Sequence, residues 1–95
     1  MLVKVNNIDT INNKVNVTRL DIDDYGSVIP IRELELNIPA YDNDSIIQTL
    51  KNSSYAAIFT EDNSTIILAS GMTLDELNQE KGKTIDKVAN KRSNK

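Results

Sequence analysis

The spacing of apolar residues over the first 38 positions predicts three antiparallel strands, Leu2–Ile8, Val15–Ile22 and Val28–Ile38, with turns at Asn12-Asn13 and Tyr25-Gly26. Successive side chains of a strand point to opposite faces, so apolar residues of one parity line one face. In this chain the parity changes once in each strand. Val3 and Val5 are odd and Ile8 is even; Val15 and Val17 are odd, Leu20 and Ile22 even; Ile29 and Ile31 are odd, Leu34, Leu36 and Ile38 even.

Centring the first hairpin on Asn12-Asn13 pairs Val3 with Ile22, Val5 with Leu20 and Ile8 with Val17, and sets Lys4 opposite Asp21. Centring the second on Tyr25-Gly26 pairs Ile22 with Ile29, Leu20 with Ile31, Val17 with Leu34 and Val15 with Leu36. Apolar then meets apolar on both sides of the break without a slip, whereas a bulge would shift one strand against its neighbour. The pattern predicts a coordinated change of buried face across Asn6-Asn7, Thr18-Arg19 and Arg32-Glu33. Pro30 has no N–H to give a neighbour, which makes the third strand an outer edge. A two-residue turn at Tyr25-Gly26 satisfies that condition and implies a four-residue loop, Ile11 to Lys14, in the first hairpin.

Beyond Pro39, the N-capping run Asp42-Asn43-Asp44-Ser45 precedes Ile46, Ile47 and Leu50 at helical spacing, and Asn52-Ser53-Ser54 stops the pattern. Tyr55–Thr60 and Thr65–Ser70 flank Glu61-Asp62-Asn63-Ser64 as a second hairpin. Its unbroken apolar runs leave no polar face, so it is expected to be covered on both sides. Thr73 and Glu76 form a capping box for a final helix, with Met72 stapling onto Leu77. Past Glu80 that helix keeps only Ile85 and Val88 as apolar residues. The resulting fold class is α+β, ordered βββ-α-ββ-α: one antiparallel sheet built from a three-stranded meander plus a second hairpin, with two helices. Residues 1–88 read as one small domain and 89–95 as a basic tail without structure of its own.

The second hairpin and the short helix are expected to cover one half of the meander, and the last helix part of the other. Leu74, Leu77, Ile85 and Val88 are thin cover for Ile8, Val15, Val17, Leu34, Leu36 and Ile38, so these six form the candidate interface with another protein chain. Composition points the same way. A chain of 95 residues, 39% hydrophobic and with only Tyr25, Tyr41, Tyr55 and Phe59 as aromatics, builds a modest aliphatic core. Covering left-over apolar surface with a second chain would add to its stability.

The chain has no cysteine and no histidine, which removes disulfides, thiolate chemistry and the usual near-neutral proton carrier. Its three glycines, Gly26, Gly71 and Gly82, are scattered, so no phosphate loop is present. Asp21, Asp23, Asp24 and Gly26 begin like a calcium loop, but Tyr25 takes the fifth position and Arg32 the twelfth, and the run reads as an acidic turn. Asp42 with Asp44, and Glu61 with Asp62, fall in caps and loops where solvent keeps both members ionised. The expectation is a protein without enzymatic activity, metal or cofactor.

Charge is divided: residues 1–80 carry five cations against thirteen acids, while residues 81–95 carry six cations against Asp86. Lys81–Lys95 is the one candidate for nucleic acid, but it lacks an aromatic residue to stack on bases. With neither a membrane-length apolar run nor a signal peptide, the chain is expected to stay in the cytoplasm, free or built into a phage particle. Its abundance of Asn, Ile, Asp and Lys is similar to that of small structural and accessory proteins of phages of low-GC Gram-positive bacteria. The function expected is assembly or protein–protein interaction, as a homo-oligomer or a subunit of a larger structure. The alternative is a small acidic inhibitor presenting Asp23, Asp24, Asp42 and Asp44 to a basic host protein.

Overall fold

The computed structural model describes residues 1–79; Ile85, Val88 and the basic tail lie outside the described residues. Strands β1 (Leu2–Asp9), β2 (Lys14–Ile22) and β3 (Val28–Asn37) form the meander. A 3₁₀ turn over Ala40–Asp42 leads into helix α1 (Asn43–Lys51), followed by β4 (Tyr55–Thr60), β5 (Ile66–Met72) and helix α2 (Leu74–Asn78). Element types and order are those the sequence predicts. One antiparallel sheet holds all five strands in the order β3-β2-β1-β4-β5, so β3 is an outer strand, as Pro30 requires.

The passage through α1 returns the chain from β3 to lay β4 beside β1, the connection of a Greek key. The far ends of the sheet then meet. Asn37, at the end of β3, forms a single parallel bridge with Thr65 and donates its N–H to the Ser64 carbonyl at 2.7 Å. The sheet is thus rolled into a partly open five-stranded barrel. Ile46, Ile47 and Leu50 of α1 enter its inner face and join Val3, Val15, Val17, Leu36, Ile38, Ala56, Ile58 and Ile66 in the main core. Asn43 ties the start of α1 to the β1–β2 loop through a 2.8 Å bond from its amide to Asn13 Oδ1. Asp42, the residue before α1, makes no side-chain capping bond.

The change of face is real in β2, which carries no extra residue of its own between Lys14 and Ile22; the bulges in its two pairings fall in β1 and β3. Val15 and Val17 enter the main core, while Leu20 and Ile22 enter a second core on the outer face with Leu77 of α2. Its neighbours do not follow as predicted. In β1, Asn6 bulges between Val5, opposite Val17, and Asn7, opposite Asn16. The extra residue keeps Val3, Val5 and Ile8 all on the inner side, and Asn6 instead donates to Asn16 Oδ1 at 2.9 Å and Thr18 Oγ1 at 2.8 Å.

The first register is corrected accordingly: Val3 faces Arg19, Lys4 faces Thr18, Val5 faces Val17 and Ile8 faces Val15. The cause is Asp9, whose carboxylate accepts the N–H groups of Ile11 and Asn12 and the Asn12 amide. This closes the loop over residues 10–13, one residue earlier than predicted, with Asn13 in the left-handed region at φ 53°. In the second hairpin, Val15 faces Leu36 and Val17 faces Leu34 as predicted. A bulge at Ile31 then sets Leu20 opposite Pro30 and Ile22 opposite Val28, in place of Ile31 and Ile29. The connecting turn has five residues rather than two. Asp23 accepts the N–H groups of Tyr25 and Ser27, and Gly26 takes φ 81°.

The two helices exchange the halves assigned to them from sequence. α1 shares the main core with Val15, Val17, Leu36 and Ile38, whereas α2 serves the half with Leu20 and Ile22. The α2 capping box is present: Thr73 Oγ1 accepts the Glu76 N–H and Glu76 Oε1 accepts the Thr73 N–H, both at 3.1 Å. Met72 joins Leu77 in the second core, as the staple predicts.

Gly71 sets the distance between β5 and the turn after α1. A Cβ at this position would lie 2.1 Å from Ser53 Oγ and 3.1 Å from Ser53 Cβ. Rotating the serine relieves the first clash and not the second. Gly71→Ala is therefore expected to destabilise the fold by about 1–3 kcal/mol, the usual cost of overpacking, read as a lower urea midpoint. An unchanged midpoint would mean that residues 52–54 yield freely.

Candidate interaction surface

The six residues expected at an interface are brought together, but as interior. Val15, Val17, Leu36 and Ile38 are buried, and Ile8 and Leu34 are packed against the same core, beneath α1. The chain's own helix fills the surface on which the sequence placed a partner.

Ile11, Ile29, Ile31 and Leu74 are exposed at separate places, and a directly paired uncovered apolar couple lies on the second hairpin. β4 and β5 pair regularly from Tyr55–Met72 to Phe59–Leu68, and alternate residues share a face. Ala56, Ile58 and Ala69 belong to the inner face, against the main core. Tyr55 and Met72 belong to the outer face beneath α2, in the second core. Farther along that outer face, Phe59 and Leu68 stand directly opposite each other, 60% and 64% exposed. The expectation that this hairpin is covered on both sides is corrected: among the described residues, α2 reaches only its Tyr55–Met72 end. A run of apolar residues reads as doubly buried whether or not an element returns to cover it.

Main-chain hydrogen bonds fix the orientation of the hairpin. The Ile58 N–H donates to the Met1 carbonyl at 2.8 Å, and Val5 donates to the Ser54 carbonyl at 2.9 Å. Ile58 and Ala56 thus turn their polar groups toward β1, and Phe59 and Ala57 toward β5. Leu68 and Ser70 answer β4. Ala69 and Gly71 turn their N–H and carbonyl groups outward, and among the described residues that edge is bridged only where it begins, by Asn37 at Thr65, with no strand paired beside Leu68–Met72.

Five of the acidic groups, Asp9, Asp21, Asp23, Asp62 and Glu76, are committed to local structure. Asp9 and Asp23 close the hairpin turns described above, and Asp21 accepts the Ile22 N–H. Asp62 accepts from Ser64 and Thr65, and Glu76 completes the α2 cap. Among the described residues, no three His, Cys, Asp or Glu side chains stand close enough to hold a metal ion. Asp23 and Asp24 lie at one end of β2, and Asp42 and Asp44, beside the Asn13 loop, at the other. At about 3.3 Å per residue the two acidic pairs are roughly 25 Å or more apart and make no single acidic surface. Lys14 and Glu35 form an exposed ion pair at 3.3 Å, of small energetic weight. A cleft of about 330 Å³ lies between residues 52–55 and the start of α2. Its one carboxylate, Glu76, already caps Thr73, so it offers no acid–base pair.

Hydrogen bonds to their ionised forms hold two carboxyls below the ordinary 3.8: Asp9 chiefly through the Asn12 side chain and N–H, Asp62 through the Thr65 and Ser64 N–H groups. Because these values are depressed in the folded chain, the stabilisation is full above pH 3.8 and fades as pH falls through the folded values. Asp62→Ala should therefore lower the urea midpoint clearly at pH 7 and much less at pH 3. An equal difference at both pH values would contradict this.

Partly open Greek-key barrels of five strands include domains that bind oligonucleotides across strands two and three. Here the outward residues of that region are Lys14, Asn16, Thr18, Glu33 and Glu35, without an aromatic platform or a positive excess. Architecture alone assigns no ligand. The basic residues Lys81–Lys95 lie outside the described residues. No helix among the described residues is long and apolar enough to cross a membrane. Comparison with protein-family models, curated proteins and solved structures returns no match to the chain.

Proposed function

We infer that the protein is a non-enzymatic interaction protein that assembles, with itself or into a larger structure such as a phage particle, through the outer face of β4 and β5. The observation that carries this reading is the exposed Phe59–Leu68 pair. A small aliphatic-rich domain gains little by leaving two large apolar side chains in water. Burying each contributes roughly 1.5–3 kcal/mol, which favours a contact there. Asp23, one of the four acids an inhibitor would present, is occupied with its own turn.

Hydroxyl-radical footprinting over a concentration series tests it, with the exposed Tyr25 and Tyr41 as internal references. Phe59 and Leu68 should become protected as concentration rises while the two tyrosines keep their reactivity. Uniform reactivity of all four from the lowest to the highest concentration would remove the basis for the proposal.

A further inference from the structure

The two outer strands differ in how they treat their free edges. Unpaired edge strands are templates for a further strand, and proteins usually blunt them with proline, charge or bulges. β3 has all three: Pro30, the bulge at Ile31, and the charges Arg32, Glu33 and Glu35. β5 has one bulge, at Ile67 near its start, and is regular from Leu68 to Met72. No charged residue occurs between Asp62 and Asp75, a span that contains all of β5. Ala69 and Gly71 direct their N–H and carbonyl groups out of the sheet along this stretch.

We propose that β5 is the site of strand addition and that its occupant is the β5 strand of a second copy, running antiparallel about a two-fold axis. The proposal rests on the interaction role assigned above and names the partner and geometry. A second copy offers what the edge requires: an uncharged, proline-free strand with its own outward N–H and carbonyl groups at Ala69 and Gly71. Two-fold pairing makes each edge satisfy the other, which a single contact patch can do only with itself. Charge selects this edge within an otherwise acidic body, because copies meeting at β5 bring no carboxylate of the strand against its counterpart. The joined sheets also extend the outer face, placing Leu68 and Ser70 of each copy beside the partner strand.

Sedimentation equilibrium on the full chain, with amide hydrogen exchange, tests the pairing. The unaltered chain should form a dimer, and the Ala69 and Gly71 amides should exchange more slowly as concentration rises. Ser70→Lys puts a charge on an exposed position of the edge strand, and Ala69→Pro removes an outward N–H without taking a bond from β4. Each should raise the dimer dissociation constant roughly tenfold or more, about 1.4 kcal/mol. If Ala69→Pro fails to fold, Ser70→Lys decides. A Ser70→Lys chain that dimerises like the parent, or edge amides that exchange at one rate at all concentrations, overturns the proposal. Association that survives Ser70→Lys but is lost in Phe59→Ser/Leu68→Ser removes edge pairing and leaves the face reading intact. Association indifferent to both removes both.

Discussion

Leu36→Glu is expected to unfold the protein. Leu36 is fully buried in the main core, opposite Val15 on β2 and beneath α1. Substitution forfeits the burial of a leucine, worth roughly 1.5–3 kcal/mol. It also puts a carboxylate where the surrounding core residues are aliphatic. The chain must pay several kcal/mol to bury it or open the barrel to hydrate it. Small domains have about 5–15 kcal/mol of stability in all, and this one is at the small end. Far-ultraviolet circular dichroism at 25 °C should show loss of strand signal, while Leu36→Met should retain the fold with a loss under about 1.5 kcal/mol. A folded, soluble Leu36→Glu chain would mean that α1 does not seal this face.

Leu77→Ala should have the second-largest effect, by another route. α2 has five residues, far too few to persist as an isolated helix. It is held by the capping box and by one fully buried side chain, Leu77, against Leu20 and Ile22. Truncation removes the anchor and opens the outer core to water, at a cost of about 2–4 kcal/mol for a buried leucine. The Leu77 and Gln79 amides, which donate to the Thr73 and Asp75 carbonyls, should lose exchange protection before the strands do. Simultaneous loss in α2 and the strands would show instead that the two cores form one cooperative unit.

These effects mark what was legible in the sequence. The parity change in β2 announced two cores on opposite faces, because β2 is regular and its side chains alternate strictly. Pro30 identified the outer strand, and Thr73 with Glu76 the start of the last helix. Registers were less legible, since apolar-to-apolar matching is satisfied by more than one alignment. Asp9 closed the first loop early, and the bulges at Asn6 and Ile31 absorbed the difference at little cost, Asn6 through its bonds to Asn16 and Thr18. Which helix covers which half depends on the Greek-key return beside β1, a long-range choice that no local pattern encodes. The exposure of Phe59 and Leu68 follows from that same return. Their alternation with Ile58 and Ala69 looks identical whether one face is covered or both.

Which apolar face is free can be read from the assembly state. The measurement is the mass in solution, by light scattering, of Phe59→Ser/Leu68→Ser beside the unaltered chain at the same concentration. The double variant should be a folded monomer of about 10.6 kDa and the parent a larger species. A double variant that keeps the parent's mass, or a parent that is itself monomeric at every concentration, would contradict it.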